Sequence, residues 1–110
     1  MEIKTKKEKN TVIVSVKGRM DAVTSPEFEK SLSTLIAAGE NDFLINLHQL
    51  EYISSAGLRS ILTVAKLLKT KDRKILFAAL QGPVKDVFNI SGFGAIFKIY
   101  ETEAEALKAG

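Results

Sequence analysis

The spacing of hydrophobic residues along the chain switches repeatedly between a period of two and a period near 3.6. The first spacing is typical of a strand, and the second is typical of a helix with one packed face. The pattern predicts strands over residues 2–6, 11–17, 42–47, 74–79 and 96–100. The first two strands are predicted to form a hairpin around residues 7–10. In the second strand the valines at every other position share one face, and Ile13 lies on the opposite face.

Helices are predicted between and after these strands. They cover residues 24–39 and 55–70, a short segment from Gly82 to Gly92, and the C-terminal residues from Thr102 onwards. Thr24 and Glu27 lie three positions apart, which is typical of a capping box at a helix start, and Thr102 begins the same pattern. The glycines at positions 39 and 92 are expected to end the helices that precede them.

The order of strands and helices predicts the fold class. Buried strands that alternate with helices favour an α/β fold with a mixed sheet, in which crossovers join parallel strands and the first pair is antiparallel. We expect about five strands and about four helices. Because no linker, repeat or low-complexity segment divides the chain, residues 1–110 are predicted to form a single domain.

Two serines, Ser54 and Ser55, mark the start of the second predicted helix. The first turn of a helix has unpaired N–H groups and partial positive charge, so a hydroxyl there either caps the helix or marks a site for an anion. Ser54 is predicted to be the cap. Small residues at Ala56 and Gly57 leave space around Ser55. Arg59 lies four positions after Ser55 and shares its face of the helix. Pure capping, without modification of either serine, is the alternative interpretation.

Several segments of the chain together carry a resemblance to a known family. They are residues 18–21, 46–47, 53–58, 92–100 and the Glu/Ala-rich helix that follows. On these segments nearly the whole chain resembles the anti-sigma factor antagonists, which are small bacterial proteins built on a STAS domain. The resemblance implies the same α/β fold. It also implies that the serine matching the phosphorylated serine of that family is Ser55, with Ser54 as the second choice.

The resemblance further implies a regulatory function with particular partners. An anti-sigma factor that is also a serine protein kinase would bind the unmodified protein and release its sigma factor, and phosphorylation would end that binding. A PP2C-type phosphatase is the second expected partner. The kinase would supply ATP and Mg²⁺, so the protein itself is expected to need no cofactor. The expected binding surface consists of Asp21, Ser54, Ser55, Ala56, Gly57 and Arg59.

Other interpretations stand beside this one. A STAS domain can also serve as an unphosphorylated scaffold or a ligand-sensing module in a transport or stress-signalling complex. Asp21 either faces the partner or simply closes a turn through its side chain, and Arg59 is either a partner contact or a solvated helix residue. Phe93, between two glycines, either packs against the sheet or is left exposed for a partner. Tyr52 and Ile53 are predicted to be core residues.

Composition and motifs argue against catalysis and metal binding. The chain has no cysteine, which excludes disulfides and thiolate zinc ligands. Its one histidine, His48, has no second histidine or cysteine with which to share a metal. The sequence also lacks a G-x-S-x-G nucleophile turn and a phosphate-binding loop of the G-x-x-x-x-G-K-[ST] type. We therefore expect neither an enzyme nor a metal site.

Charge and hydropathy argue against nucleic-acid and membrane partners. The net charge is +3, but the basic residues are dispersed and no aromatic residues interleave them, so they are interpreted as a solvated face. No apolar run approaches the ~20 residues needed to span a bilayer, and the N-terminus has no hydrophobic segment of the signal-peptide type. At 110 residues and 45% hydrophobic content the chain is long enough to form a core, and we expect a cytoplasmic protein.

Overall fold

A computed structural model describes residues 1–109, which form six strands and five helices. In chain order these are β1 Glu2–Glu8, β2 Thr11–Met20, α1 Ser25–Ala37, β3 Asp42–Asn46, β4 Leu50–Ile53, α2 Ser55–Thr70, β5 Ile75–Ala78, α3 Gly82–Ile90, α4 Phe93–Ile96, β6 Lys98–Tyr100 and α5 Glu103–Ala109. The α/β class, the mixed sheet and the antiparallel first pair are confirmed.

Strand β2 organises the sheet, whose main order is β1-β2-β3-β5-β6. It pairs antiparallel with β1 and, over its first five residues, parallel with β3. Beyond Gly18, which has a φ of 101°, the register shifts and the end of β2 pairs parallel with β4 instead. The sequence predicted that this strand ends at residue 17, and this was wrong because the strand continues to Met20.

The two faces of the sheet support two hydrophobic clusters. Helices α1, α2 and α3 cover the face that carries Val12, Val14 and Val16, and this cluster forms the main core. Ile13 and Leu44 point to the opposite face, where Ala106 of α5 covers them. The predicted division of side chains in β2 between the two faces is therefore confirmed. The sheet is covered on both faces, as parallel sheets generally are.

Strand β4 and helix α4 were not predicted from the sequence. In β4 the two end residues are buried and the two middle ones are exposed, so the strand lacks the alternation that identifies a strand in a sequence. Tyr52 is 39% exposed, and its predicted place in the core was wrong, whereas Ile53 is buried as predicted. Helix α4 occupies the start of the segment predicted as the last strand, so β6 begins at Lys98 rather than at residue 96.

Phe93 belongs to the core rather than to an exposed surface. It is 4% exposed and packs edge-on against Phe88 and Phe97, with ring centroids 5.3 Å away in each case. Such aromatic pairs stabilise a fold beyond the area that they bury. The interpretation of Phe93 as a contact left for a partner is therefore wrong, and the packed interpretation is confirmed.

Helix starts follow the predicted capping chemistry in two cases out of three. Ser54 caps α2, since its Oγ accepts a hydrogen bond from the Gly57 N–H at 3.3 Å, and Thr102 Oγ1 accepts one from the Glu105 N–H at 3.1 Å. The capping box at Thr24 was wrong. The Thr24 hydroxyl makes no bond to the first turn of α1 and donates instead to the Arg19 carbonyl oxygen at 2.8 Å.

Candidate functional site

The ends of β2 and β4 lie side by side at one edge of the sheet. The two strands are parallel there, with Arg19 opposite Tyr52 and Met20 opposite Ile53. The Met20 carbonyl oxygen accepts a hydrogen bond from the Ser54 N–H at 2.9 Å. The turn that follows β2 and the first residues of α2 are therefore neighbours, although they are more than 30 positions apart in the chain. We call this region the helix-start site.

The two serines of the helix-start site have different environments. Ser54 has extended backbone angles, is half-buried, and uses its Oγ as the helix cap. Ser55 is the first residue of α2 and is exposed, and within residues 1–109 its hydroxyl makes no hydrogen bond. The predicted cap at Ser54 is thus confirmed. The Ser55 hydroxyl is the one that remains available to another molecule.

Gly57 allows α2 to begin this close to the sheet. A Cβ atom at this buried position would lie 2.7 Å from Ile53 Cγ1 and 2.7 Å from the Met20 carbonyl oxygen. Both distances are shorter than any ordinary van der Waals contact, so a larger residue would push the helix away from the end of β2. The same carbonyl oxygen accepts the Ser54 N–H, and Gly57 therefore fixes the position of both serines.

Asp21 closes the turn beside the serines. Its Oδ1 accepts hydrogen bonds from the Val23 N–H at 3.0 Å and from the Thr24 N–H at 3.1 Å. The backbone N–H of Thr24 is the main cause of the lowered pKa of the Asp21 carboxyl, to which the nearby Arg19 guanidinium also contributes. The carboxylate is therefore ionised at neutral pH. The turn-closing role that the sequence suggested for Asp21 is confirmed, and a contact with a partner remains a prediction.

Three exposed side chains of this region were missed by the sequence reasoning. Val23 is 87% exposed at the tip of the Asp21 turn. The Arg19 guanidinium carbon lies 4.2 Å from the centroid of the exposed Tyr52 ring, a cation–π arrangement. Val23 could have been identified from the sequence, since it is an apolar residue in a predicted turn. Arg19 and Tyr52 could not, because periodicity does not reveal the pairing of β2 with β4 that brings them together.

The outward face of α2 continues the helix-start site. Arg59 is exposed and lies one turn after Ser55, on the same side of the helix. The inward face is fixed against α1 by the buried Ser60, whose Oγ donates a hydrogen bond to Glu29 Oε2 at 2.8 Å. Ala56 is half-buried between these two faces. Packing and hydrogen bonding therefore restrict one side of α2, whereas the side with Ser55 and Arg59 is exposed.

The part of the chain that the structure describes has neither a cluster of metal ligands nor a membrane-spanning helix. Residues 1–109 contain no group of three or more His, Cys, Asp or Glu side chains that could hold a metal ion. His48 is exposed in the segment between β3 and β4. None of the described helices is both long and apolar enough to cross a membrane.

Comparison with known sequences identifies the family. The STAS domain model matches residues 2–106. BtrV of Bordetella bronchiseptica, a protein proposed to be an anti-sigma factor antagonist, is 32% identical over 109 residues, which cover 99% of this chain and 94% of BtrV. The anti-sigma-B factor antagonist of Staphylococcus aureus is 27% identical over 106 residues, covering 96% of this chain and 98% of that protein.

Solved structures agree with the sequence comparison. An anti-sigma factor antagonist from Mycobacterium paratuberculosis superposes with a TM-score of 0.89 at 25% identity, over 98% of this chain and 92% of that one. The unphosphorylated form of the anti-sigma factor antagonist SpoIIAA superposes with a TM-score of 0.84 at 22% identity, over 98% and 95% of the two chains. The chain therefore belongs to the STAS domain family, among the anti-sigma factor antagonists.

Proposed function

We propose that this protein is a reversible switch that binds an anti-sigma factor with serine kinase activity and loses that partner when Ser55 is phosphorylated. In the unmodified state the helix-start site occupies the kinase, so that its sigma factor is released by competition. The kinase supplies ATP and Mg²⁺, and a PP2C-type phosphatase restores the unmodified protein. The whole cycle takes place in the cytoplasm and requires no catalytic group of this chain.

The free hydroxyl of Ser55 is the observation that carries this proposal. A kinase needs an acceptor oxygen that it can reach, and the Ser55 side chain is exposed and unbonded within residues 1–109. The Ser54 oxygen is already engaged with the Gly57 N–H, and its removal from that bond would uncap α2. Of the two serines, Ser55 can therefore be modified at the smaller structural cost.

A phosphate on Ser55 would be tolerated by the fold. It would add nearly two negative charges at the N-terminus of α2, where the helix dipole and unpaired N–H groups favour an anion. The first turn of α2 contains no acidic residue that would oppose it. Arg59, one turn later on the same side, is a possible partner for the phosphate. We therefore expect modification without unfolding.

The same phosphate would oppose a bound partner. An interface that covers Ser55 removes it from water, and an unpaired charge in such a place costs several kcal/mol. Nearby Asp21 is already ionised, so the added charge would meet an existing negative one. The switch would thus act through the electrostatics of the interface.

The rest of the helix-start site has the composition of a protein interface. Tyr52 and Arg19, stacked on each other, belong to the residue types that dominate binding energy at interfaces. Val23, at 87% exposure, offers an apolar group that a partner could cover. These side chains extend the proposed surface from α2 across the ends of β2 and β4.

The relatives support the regulatory class, and the residues of this chain support the choice of serine. SpoIIAA, whose fold this chain shares, has been solved in an unphosphorylated and in a phosphorylated form. At 21–22% identity that likeness concerns the fold alone. The proposal of phosphorylation at Ser55 therefore depends on the position and accessibility of its hydroxyl.

Incubation with the cognate kinase and ATP, followed by peptide mapping in a mass spectrometer, tests the proposal. We expect one phosphate on Ser55 of the wild-type protein, the same phosphate in the Ser54→Ala variant and none in Ser55→Ala, which should still bind the kinase. A phosphate on Ser54 would refute the choice of serine. No phosphate on either serine, with a kinase that modifies a known substrate, would refute the switch and favour the scaffold function.

A further inference from the structure

A second surface of the chain lies at the opposite end of α2 from Ser55. A groove of about 540 Å³ runs between the C-terminal half of α2 and the neighbouring parts of α4, β5 and β6. Its nearest lysine, Lys66, follows Ser55 by 11 positions, which is about 16 Å along a helix. We call it the basic groove, and it shares no residue with the helix-start site.

Four cationic side chains surround the basic groove. They come from three different elements: Lys66 and Lys69 from α2, Arg73 from the turn after it, and Lys98 from β6. The groove lining contains no acidic residue. Among residues 1–109, no ion pair involves any of these four side chains, although Arg73 also donates a hydrogen bond to the Glu40 carbonyl oxygen. The groove is therefore a concentration of positive charge that no ion pair among residues 1–109 neutralises.

The floor of the basic groove is apolar. Ile96 is 62% exposed there, and Leu62 and Phe97 are half-buried beside it. An apolar group that covered this isoleucine would remove apolar surface from water, which is favourable. The groove thus combines an apolar floor with a cationic rim.

Simple structural roles explain only part of this arrangement. A lysine in the last turn of a helix interacts favourably with the helix dipole, which accounts for Lys69. The dipole of α2 gives no reason for Lys98, which belongs to another element, or for the exposure of Ile96. A ligand with a single carboxylate would leave most of these four cations without a partner. A flat lipid surface would reach the exposed Ile96 but not the half-buried Leu62 and Phe97 inside the groove.

We propose that the basic groove binds an acidic segment of a partner polypeptide, in which at least two carboxylates flank an apolar side chain. The apolar side chain would contact Ile96 and Phe97, and the carboxylates would pair with the lysines on the two sides. Charge complementarity of this kind gives specificity and fast association. The binding is independent of Ser55, so that the protein could hold a second partner in either state of the proposed switch.

Fluorescence anisotropy with a labelled synthetic peptide tests the charged rim. The probe is a short peptide in which Leu and Phe alternate with Glu, and the matched peptide has Gln in place of every Glu. We expect the Lys66→Glu/Lys69→Glu protein to bind the acidic peptide at least about tenfold more weakly than wild type. The control, Lys4→Glu/Lys9→Glu, changes the net charge equally away from the groove and should retain wild-type affinity within about threefold.

Two exposed isoleucines provide a matched test of the floor. Ile96→Ser should weaken binding of the acidic peptide about threefold or more, while Ile90→Ser, which alters an 86% exposed isoleucine outside the groove, should leave it unchanged. Absence of binding, equal binding of the Gln peptide, or equal losses in groove and control variants would overturn the proposal. It would also be overturned if phosphatidylglycerol vesicles, and not the peptide, bound the wild type and failed to bind the Lys66→Glu/Lys69→Glu protein.

Discussion

Substitution of Gly57 by alanine tests the geometry that holds the helix-start site together. The added methyl group would lie 2.7 Å from the Met20 carbonyl oxygen and 2.7 Å from Ile53 Cγ1. The carbonyl oxygen is backbone and cannot rotate away, so the start of α2 must move. That movement would also stretch the hydrogen bond from the Ser54 N–H to the same oxygen, which is now 2.9 Å long.

Opposing contributions determine how much Gly57→Ala changes the free energy of unfolding. Alanine is favoured over glycine inside a helix by about 1 kcal/mol. Overpacking of a close contact costs about 1–3 kcal/mol, and a weakened buried hydrogen bond adds about 1 kcal/mol to that cost. The cost of the clash therefore exceeds the gain in helix propensity, and we expect the free energy of unfolding to fall by about 2 kcal/mol. For a domain of this size the melting temperature should fall by roughly 8 °C.

Urea titration of Gly57→Ala, with Gly94→Ala as control, measures this loss of stability. Gly94 is also helical, but a Cβ atom there would have no neighbour within 4 Å, so its substitution should leave stability unchanged or raise it by up to about 1 kcal/mol. The reasoning would be refuted if Gly57→Ala were as stable as wild type. It would also fail if both glycine variants lost stability equally.

Further substitutions address single residues of the site. Ser54→Ala removes the cap of α2 and should lower the free energy of unfolding by about 1 kcal/mol in urea titrations, whereas Ser55→Ala should change it by roughly 0.5 kcal/mol or less; equal losses would contradict their distinct roles. Arg59→Ala should weaken the complex of the unmodified protein with the kinase by about 1–2 kcal/mol in calorimetry, as an interface arginine does, and an unchanged affinity would leave Arg59 as a solvated residue. Folding lowers the pKa of Asp21, so the stabilisation by its carboxylate is complete above the pKa of the unfolded chain and is lost as the pH falls through the lower folded pKa. The stability advantage of wild type over Asp21→Asn should therefore shrink below about pH 4, and an advantage that grows on acidification would contradict the assignment.

Local chemistry explains which parts of the fold were predictable. Helix α2 was predicted over residues 55–70, and it runs from Ser55 to Thr70 because its apolar spacing and its cap at Ser54 are both encoded within a few positions. Strand β4 was missed since its four residues show no alternation and depend on β2, a distant partner, for their pairing. Short elements whose stability comes from tertiary contacts leave little signal in a sequence.

The same distinction applies to the candidate site. The cap at Ser54 and the turn closed by Asp21 follow from side-chain preferences at helix starts and turns, and both are confirmed. The stacking of Arg19 on Tyr52 requires the parallel pairing of β2 with β4, which no local pattern revealed. Phosphorylation of Ser55 depends on a second protein and stays a prediction.

Calorimetric titration of the cognate anti-sigma factor with two forms of the protein tests the central claim most directly. One form is unmodified and the other carries a single phosphate on Ser55, and thermal melting establishes that both are folded. We predict that the phosphate weakens the affinity at least about 100-fold, which corresponds to about 2.7 kcal/mol, with little change in melting temperature. Equal affinities of the two forms, or a loss of binding that accompanies unfolding of the phosphorylated form, would contradict the proposed switch.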